Sequence, residues 1–207
     1  MASKTDFKKE NKDLFSSKKT PSTVMVPELN YLMIDGAGYP GESKEYTDSI
    51  SALYPIAYNL KFMSKLELKK DYVVPPLEGL WWADDMDDFT KGNRNKWKWT
   101  IMIMQPNWIT NEMLRKAASK VEEKSPALKN IISKIRLNKY KEGKSAQVLY
   151  IGPYKEETLT IQKLHEFIKE QNGSFNGQKQ KHHEVYLSDP RKVKPEKLKT
   201  IIRQPFT

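Results

Sequence analysis

The chain has 207 residues, with 36 Lys+Arg against 26 Asp+Glu, three histidines and no cysteine. That length suits one domain of moderate size, or one built from two similar halves, with room for a sizeable core. The missing cysteine removes disulfides, thiolate zinc sites and thiol nucleophiles together. No run of about 18 apolar residues exists, so no membrane span and no membrane partner is expected. Met1-Ala2-Ser3-Lys4-Thr5-Asp6-Phe7 lacks the apolar segment of a secretory signal, and a cytoplasmic location fits best. The net charge of +10 raises nucleic acid as a partner. The lysines, however, are spread along the whole length with acids nearby, which reads as a solvated basic surface.

Residues 1–22 are Lys-rich and polar, an N-terminal extension expected to fray or drape over the surface. A single domain is expected over 23–207. Tyr31 to Ile34 reads as a strand and Asp35-Gly36-Ala37-Gly38 as a turn. Ser43 is a helix N-cap with Tyr46 three residues on, and Ile50, Leu53, Ala57 and Leu60 follow at helical spacing. Pro55 falls inside and should kink or split that helix. Tyr72-Val73-Val74 and Leu80-Trp81-Trp82 flank Pro75-Pro76, a strand bent at its prolines and expected at a sheet edge. Residues 84–95 read as an acidic loop. Trp97 to Gln105 is a strong strand. Thr110 caps a helix, and Ser125-Pro126 opens a second whose stripe is Leu128, Ile131, Ile132 and Ile135. Ala146 to Ile151 is a strand turned by Gly152-Pro153. Residues 154–170 make an amphipathic helix ended at Asn172-Gly173, and strands follow at 182–187 and 198–203.

The order of elements repeats: strand, helix, strand, strand over about 29–105, and again over about 146–203, joined by helices at 109–135. The fold class is therefore α+β, a duplicated strand–helix–strand–strand unit. It should form an antiparallel sheet with helices on one face and a concave opposite face grooved along a pseudo-two-fold seam. Ligand sites favour such seams.

His182 to Arg191 is the most informative stretch. Val185 and Leu187 point one way along the strand; His182, Glu184 and Tyr186 point the other. If that second face lines a cavity, Glu184 is a half-buried carboxylate able to attract a cation or take a proton from water. Trp81 and Trp82 are adjacent, so one indole must leave a one-sided core and is expected to line a ligand. Trp99 lies on the next strand and Tyr154 where a helix begins. Glu78, on the face of Trp82, could add a second carboxylate beside this aromatic set. His182 and His183 point to opposite faces and cannot chelate one metal, so neither metal nor cofactor is expected. Ser188-Asp189 is a turn rather than a nucleophile dyad.

Leu77-Glu78-Gly79-Leu80-Trp81-Trp82, Gln105-Pro106, Gln147 through Gly152-Pro153-Tyr154, His182 to Arg191 and Lys199 to Pro205 together resemble the GyrI-like small-molecule-binding family, in its stand-alone branch. The resemblance covers nearly the whole chain. It implies a cleft between two halves that takes bulky, flat, often cationic compounds, with Glu184 as its central polar group. It also implies hydrolysis of cyclopropanoid DNA-alkylating compounds, as in similar members, with Glu184 as the base and Tyr186 or Tyr154 facing the developing charge. Trp81, Trp82, Glu78, Trp99, Tyr154 and Glu184 are the expected ligand-lining set. The alternatives are a drug-binding sequestrant or sensor without turnover and, third, nucleic-acid binding. A small molecule is the expected partner of a monomer or homodimer.

Overall fold

The computed structural model describes residues 4–86, 88 and 92–207; residues 1–3, and 87 and 89–91 of the expected acidic loop, lie outside the described residues. The elements are α1 (Phe7–Glu10), α2 (Lys12–Phe15), β1 (Ser22–Ala37), α3 (Lys44–Glu67), β2 (Leu77–Trp82), β3 (Lys98–Gln105), α4 (Asn111–Lys124), α5 (Lys129–Ile132), β4 (Arg136–Ile151), α6 (Thr158–Glu170), β5 (His182–Tyr186) and β6 (Lys199–Pro205). The strand–helix–strand–strand order does occur twice. The six strands are antiparallel in the order β1-β3-β2-β5-β6-β4, and β4 pairs back onto β1. Each half contributes three consecutive strands of the ring, so the halves meet at two seams, β2·β5 and β1·β4.

Closure changes the expected geometry. β2 has neighbours on both sides rather than lying at an edge, because a closed sheet has no edge to give it. Pro75 and Pro76 precede the strand, where no ladder donor is lost. The face expected to be a concave groove is the barrel interior. β1 and β4 are each 16 residues long, well beyond the segments expected at 31–34 and 146–151. The charged run 136–145 has no apolar alternation, yet it pairs along its length with β1. α3 runs unbroken through Pro55, and Ser43 Oγ caps it by accepting from Tyr46 N at 3.2 Å. The stripe expected to make a second long connecting helix is a 3₁₀ turn at 126–128 and the single turn of α5.

The interior is charged. His183 of β5 holds Glu78 of β2 at Nε2 and Glu142 of β4 at Nδ1, both at 3.0 Å. Arg203 of β6 donates to Glu142 at 3.2 Å and, through Nε and Nη2, to Gln147 Oε1 at 3.2 and 3.1 Å. Tyr31 of β1 donates to Glu78 at 3.4 Å. Side chains from five strands can meet only inside the ring. Glu142 and Gln147 both point inward although they are five positions apart, an odd offset. Gly143, at φ +83°, breaks the alternation between them.

Both ring nitrogens of His183 face carboxylate oxygens, so only the doubly protonated ring donates to both. Burial opposes that charge, but the charge and hydrogen bond of Glu142, with the bond from Glu78, outweigh it and raise the His183 pKa from 6.5 to about 9. Burial likewise works against the Glu142 carboxylate. The neighbouring His183 and Arg203 outweigh it and hold Glu142 below its ordinary value.

The N-terminal segment docks on this network rather than fraying. Leu14 O accepts from Arg203 Nη2 and Asp13 O from Gln147 Nε2, each at 2.7 Å. Phe7, Leu14 and Phe15 are buried. They are the only large apolar residues among the described residues of the segment, and a short helix on either side of Asn11 turns them inward.

The network makes stability depend on pH. The folded pKa of His183 lies above its ordinary value, so its contribution is whole below about pH 6.5 and fades as pH rises through about 9. Ring-proton NMR should find His183 charged at neutral pH. Across that window the wild type should lose on the order of 3 kcal/mol more than a His183→Asn variant in urea unfolding. A His183 that titrates at its ordinary value would overturn the clamp.

Candidate functional site

The helices lie on the outer face of the barrel, α3 over the first half and α6 over the second. Tyr46 of α3 meets Trp99 edge-on at 5.1 Å between ring centroids and leans on Trp81 at 6.0 Å. Leu164 and Ile168 of α6 pack with Ala146, Val148 and Ile202. Between them runs the β2·β5 seam, where Gly79 pairs with Glu184. The outward residues here are Gly79 and Trp81 on β2, and His182, Glu184 and Tyr186 on β5. The site thus sits on the helix side of the sheet, where two helices wall a strip that Gly79 leaves without a side chain.

Glu184 is buried, at 8 % exposure. His182 Nε2 stands 3.2 Å from its Oε1. Its second neighbour is Glu157, the residue just before α6. Burial, then the charge of Glu184 and a hydrogen bond to it, push the Glu157 carboxyl far above the ordinary carboxylate range. Burial and the adjacent carboxylate together disfavour ionisation of Glu157. Tyrosines complete the shell. Burial, then Glu184, raises the phenols of Tyr46 and Tyr186 well above the ordinary value. Tyr154 packs edge-on against Tyr186 at 5.6 Å and is 36 % exposed, so it is the solvent-facing member of the cluster. Burial and then Glu184 push its phenol up to about 12. All three therefore keep their protons at neutral pH and remain donors.

Of the residues singled out in the sequence, the fold brings together Glu184, Tyr186, Tyr154 and Trp81. It sends three elsewhere. Glu78 is two strand positions from Leu80 and points into the barrel, where His183 and Tyr31 bind it. Trp82 shares that alternation, and its ring carries the ammonium of Lys181 at 3.4 Å from the centroid. Trp99 is fully buried, its indole lying across Gly36. Ser188 and Asp189 form the turn after β5: Ser188 Oγ accepts from Lys199 N at 3.0 Å, and Asp189 is bound by the Arg191 guanidinium at 2.9 Å.

Sequence reasoning missed Glu157 and Tyr46. Glu157 opens a helix after Gly152-Pro153, where an acid is favoured by the helix dipole and says nothing of a partner. Tyr46 sits in the first turn of α3. Both become site residues only because two helix starts converge on one seam. An open groove of about 850 Å³ lies elsewhere, between α4, α5 and the start of β4, lined by Leu114, Ala118 and Ile132 with Arg115 and Arg136. None of the buried acids reaches it.

The model of the GyrI-like small-molecule-binding domain matches residues 19–206. The chain belongs to the GyrI-like small-molecule-binding family. An uncharacterised conserved protein from Listeria innocua is 39% identical, covering 99% of this chain and 100% of its own, with a TM-score of 0.87. A structure described as a hydrolase from Listeria innocua gives 39% identity over the same shares, with a TM-score of 0.84. The EcmrR C-terminal domain shares the fold at 10% identity, with a TM-score of 0.55 over 91% of this chain and 97% of that one. A search of curated proteins returned no match. No helix among the described residues is long and apolar enough to cross a membrane.

The raised pKa of Glu157 is directly testable. In carboxyl-carbon NMR of the labelled protein, Glu157 should remain protonated at neutral pH, and Glu184→Gln should bring its titration down towards the ordinary range, because the second-largest cause of the shift is removed. A Glu157 that titrates with the exposed acids in the wild type would dissolve the pair.

Proposed function

We infer that this GyrI-like domain hydrolyses cyclopropanoid DNA-alkylating compounds in the cleft over the β2·β5 seam. The observation that carries the reading is a buried Glu184 beside a Glu157 whose carboxyl is pushed far above the ordinary range. A carboxyl with a raised pKa beside a second acid is an arrangement from which acid and base roles can be divided. The 39% identity to a Listeria innocua protein described as a hydrolase supports a reaction rather than binding alone.

In this mechanism a flat ligand enters past Tyr154 and lies against Trp81. Glu184 takes a proton from water as its oxygen attacks the strained ring carbon. The ring C–C bond breaks, and its electron pair passes into the conjugated carbonyl, whose oxygen becomes an anion. Tyr186 or Tyr154 donates to that oxygen, which solvent then protonates. Ring strain supplies much of the driving force, so positioning and modest base catalysis suffice. No cofactor takes part. The basic surface is solvated, and the protein acts in the cytoplasm as a monomer or homodimer.

Glu184→Gln keeps the shape and loses the base. Hydrolysis of a cyclopropanoid compound should fall by about 10²–10⁴-fold while the fold survives. Binding of a neutral flat ligand should change far less, and binding of a cationic dye should weaken. A variant that hydrolyses at the wild-type rate would refute the catalytic role. Equal loss of binding and hydrolysis, or stoichiometric consumption without turnover by the wild type, would leave a binding module that sequesters its ligand.

A further inference from the structure

The outer face of α3 is left uncovered by the fold. Ser49 to Leu60 is a run of twelve residues without one charged side chain, in a chain of which 30% is charged. On the inner side Leu53, Ile56, Ala57 and Leu60 are fully buried. On the outer side Ser51, Pro55, Tyr58, Phe62 and Leu66 follow one another every three or four residues and are exposed. Tyr58, Phe62 and Leu66 are 48 %, 53 % and 65 % exposed. Residues at that spacing share one face of a helix. The other long helices differ. The exposed face of α4 carries Arg115, Lys116, Lys120 and Glu123, and that of α6 carries Lys163, Glu166 and Lys169. A surface helix presents charged groups to water, whereas a helix uncharged all round is one that other protein covers.

The ends of the stripe define what fits it. Asp48 stands at the N-terminal end, with Lys44 at 2.5 Å. Lys65 and Lys69 stand at the C-terminal end. Lys65 is paired with Asp71 at 3.4 Å. Lys69 reaches only the backbone oxygen of Leu66, at 2.8 Å. A second α3 lying antiparallel brings its acid to this lysine and its lysine to this acid. A two-fold axis between Tyr58 and Asn59 sets Asp48 opposite Lys69, Ser51 opposite Leu66 and Pro55 opposite Phe62. Asn59 Nδ2 donates to Pro55 O at 2.9 Å, which leaves the Asn59 side-chain oxygen to accept from the Tyr58 hydroxyl of the second copy. Antiparallel helices also place opposite ends of their dipoles together. An anionic lipid surface fits less well, because Asp48 would face it.

We propose that α3 is a homodimer interface, in which two copies of the chain pair this helix antiparallel about an axis between Tyr58 and Asn59. The contact is isologous, so it closes at two copies. The stripe from Ser51 to Leu66 is about 22 Å long at 1.5 Å per residue. That places the contact at the small end of specific interfaces, so the dimer is reversible. Tyr46, by the helix periodicity, lies on the opposite side of α3. The interface is therefore independent of what the cleft binds.

Sedimentation velocity over micromolar to millimolar concentrations tests it, with folding of each variant checked by circular dichroism. The wild type should pass from monomer to dimer within that range. Phe62→Lys, at an exposed position, should weaken the dimer by about tenfold or more. Asp48→Lys and Lys69→Asp should each weaken it, and the two together in one chain should restore it, because the exchanged charges are again complementary. The chain has no cysteine, so oxidative cross-linking reads the register directly. Ser51→Cys protein mixed with Leu66→Cys protein should give the mixed disulfide, and neither should link efficiently to itself. A wild type that stays monomeric throughout would overturn the interface, as would a dimer that Phe62→Lys leaves intact. Self-linking of Ser51→Cys, or a charge exchange that restores nothing, would overturn the antiparallel pairing. A monomer that binds phosphatidylglycerol vesicles through Phe62 would give the face to lipid and overturn the dimer.

Discussion

A charged imidazole clamped between two carboxylates inside a closed barrel is the constraint on which the rest of the structure depends. His183 ties β5 to β2 through Glu78 and to β4 through Glu142, while Arg203 adds β6 and the N-terminal segment. Removing one partner from such a set leaves an uncompensated buried charge, which costs several kcal/mol. The register of β5 is therefore tightly held. A slip of one residue would bring Glu184 into the interior and push His183 out among the helices, because side chains alternate along a strand.

That alternation lets one short strand do two jobs. His183 faces inward and joins the two halves of the barrel. Glu184, the next residue, faces outward and meets Glu157 and Tyr186 between the helices. The two acid sets differ in how their charge is settled. Inside, Glu142 is held ionised by a protonated histidine and an arginine. Outside, Glu184 has His182 Nε2 at 3.2 Å, and burial with the charge of Glu184 raises the pKa of Glu157. The interior set joins the two halves of the barrel and the exterior set lies between the helices, although their side chains leave the same few residues of backbone.

The aromatic residues divide by the same rule. Trp81 and Trp82 are neighbours in sequence and lie on opposite faces. Trp81 roofs Gly79 beside Glu184, and Trp82 carries a lysine ammonium on the other side. Small residues decide where the large rings go: Gly36 accommodates the indole of Trp99, and Gly79 that of Trp81. The packing of these rings is thus set as much by two missing β-carbons as by the rings themselves.

The sequence by itself determined the duplication, the placing of Glu184 and Tyr186 on one face of a strand, and the separation of the two adjacent indoles. These follow from local periodicities of two and about 3.6 residues, which survive in any fold that keeps the elements. The family motifs lay in the same segments and were equally legible. Closure of the sheet was not, since it depends on β4 returning to β1 through a charged run with no apolar alternation. Nor was the interior role of Glu78, which alternation alone left as a second cleft acid. The partnership of Glu157 and Tyr46 with Glu184 joins residues 27 and 138 positions away along the chain. Only the packing of two helix starts over one seam brings them within reach, because burial and the effect of a neighbouring charge are properties of that enclosure and not of any single segment.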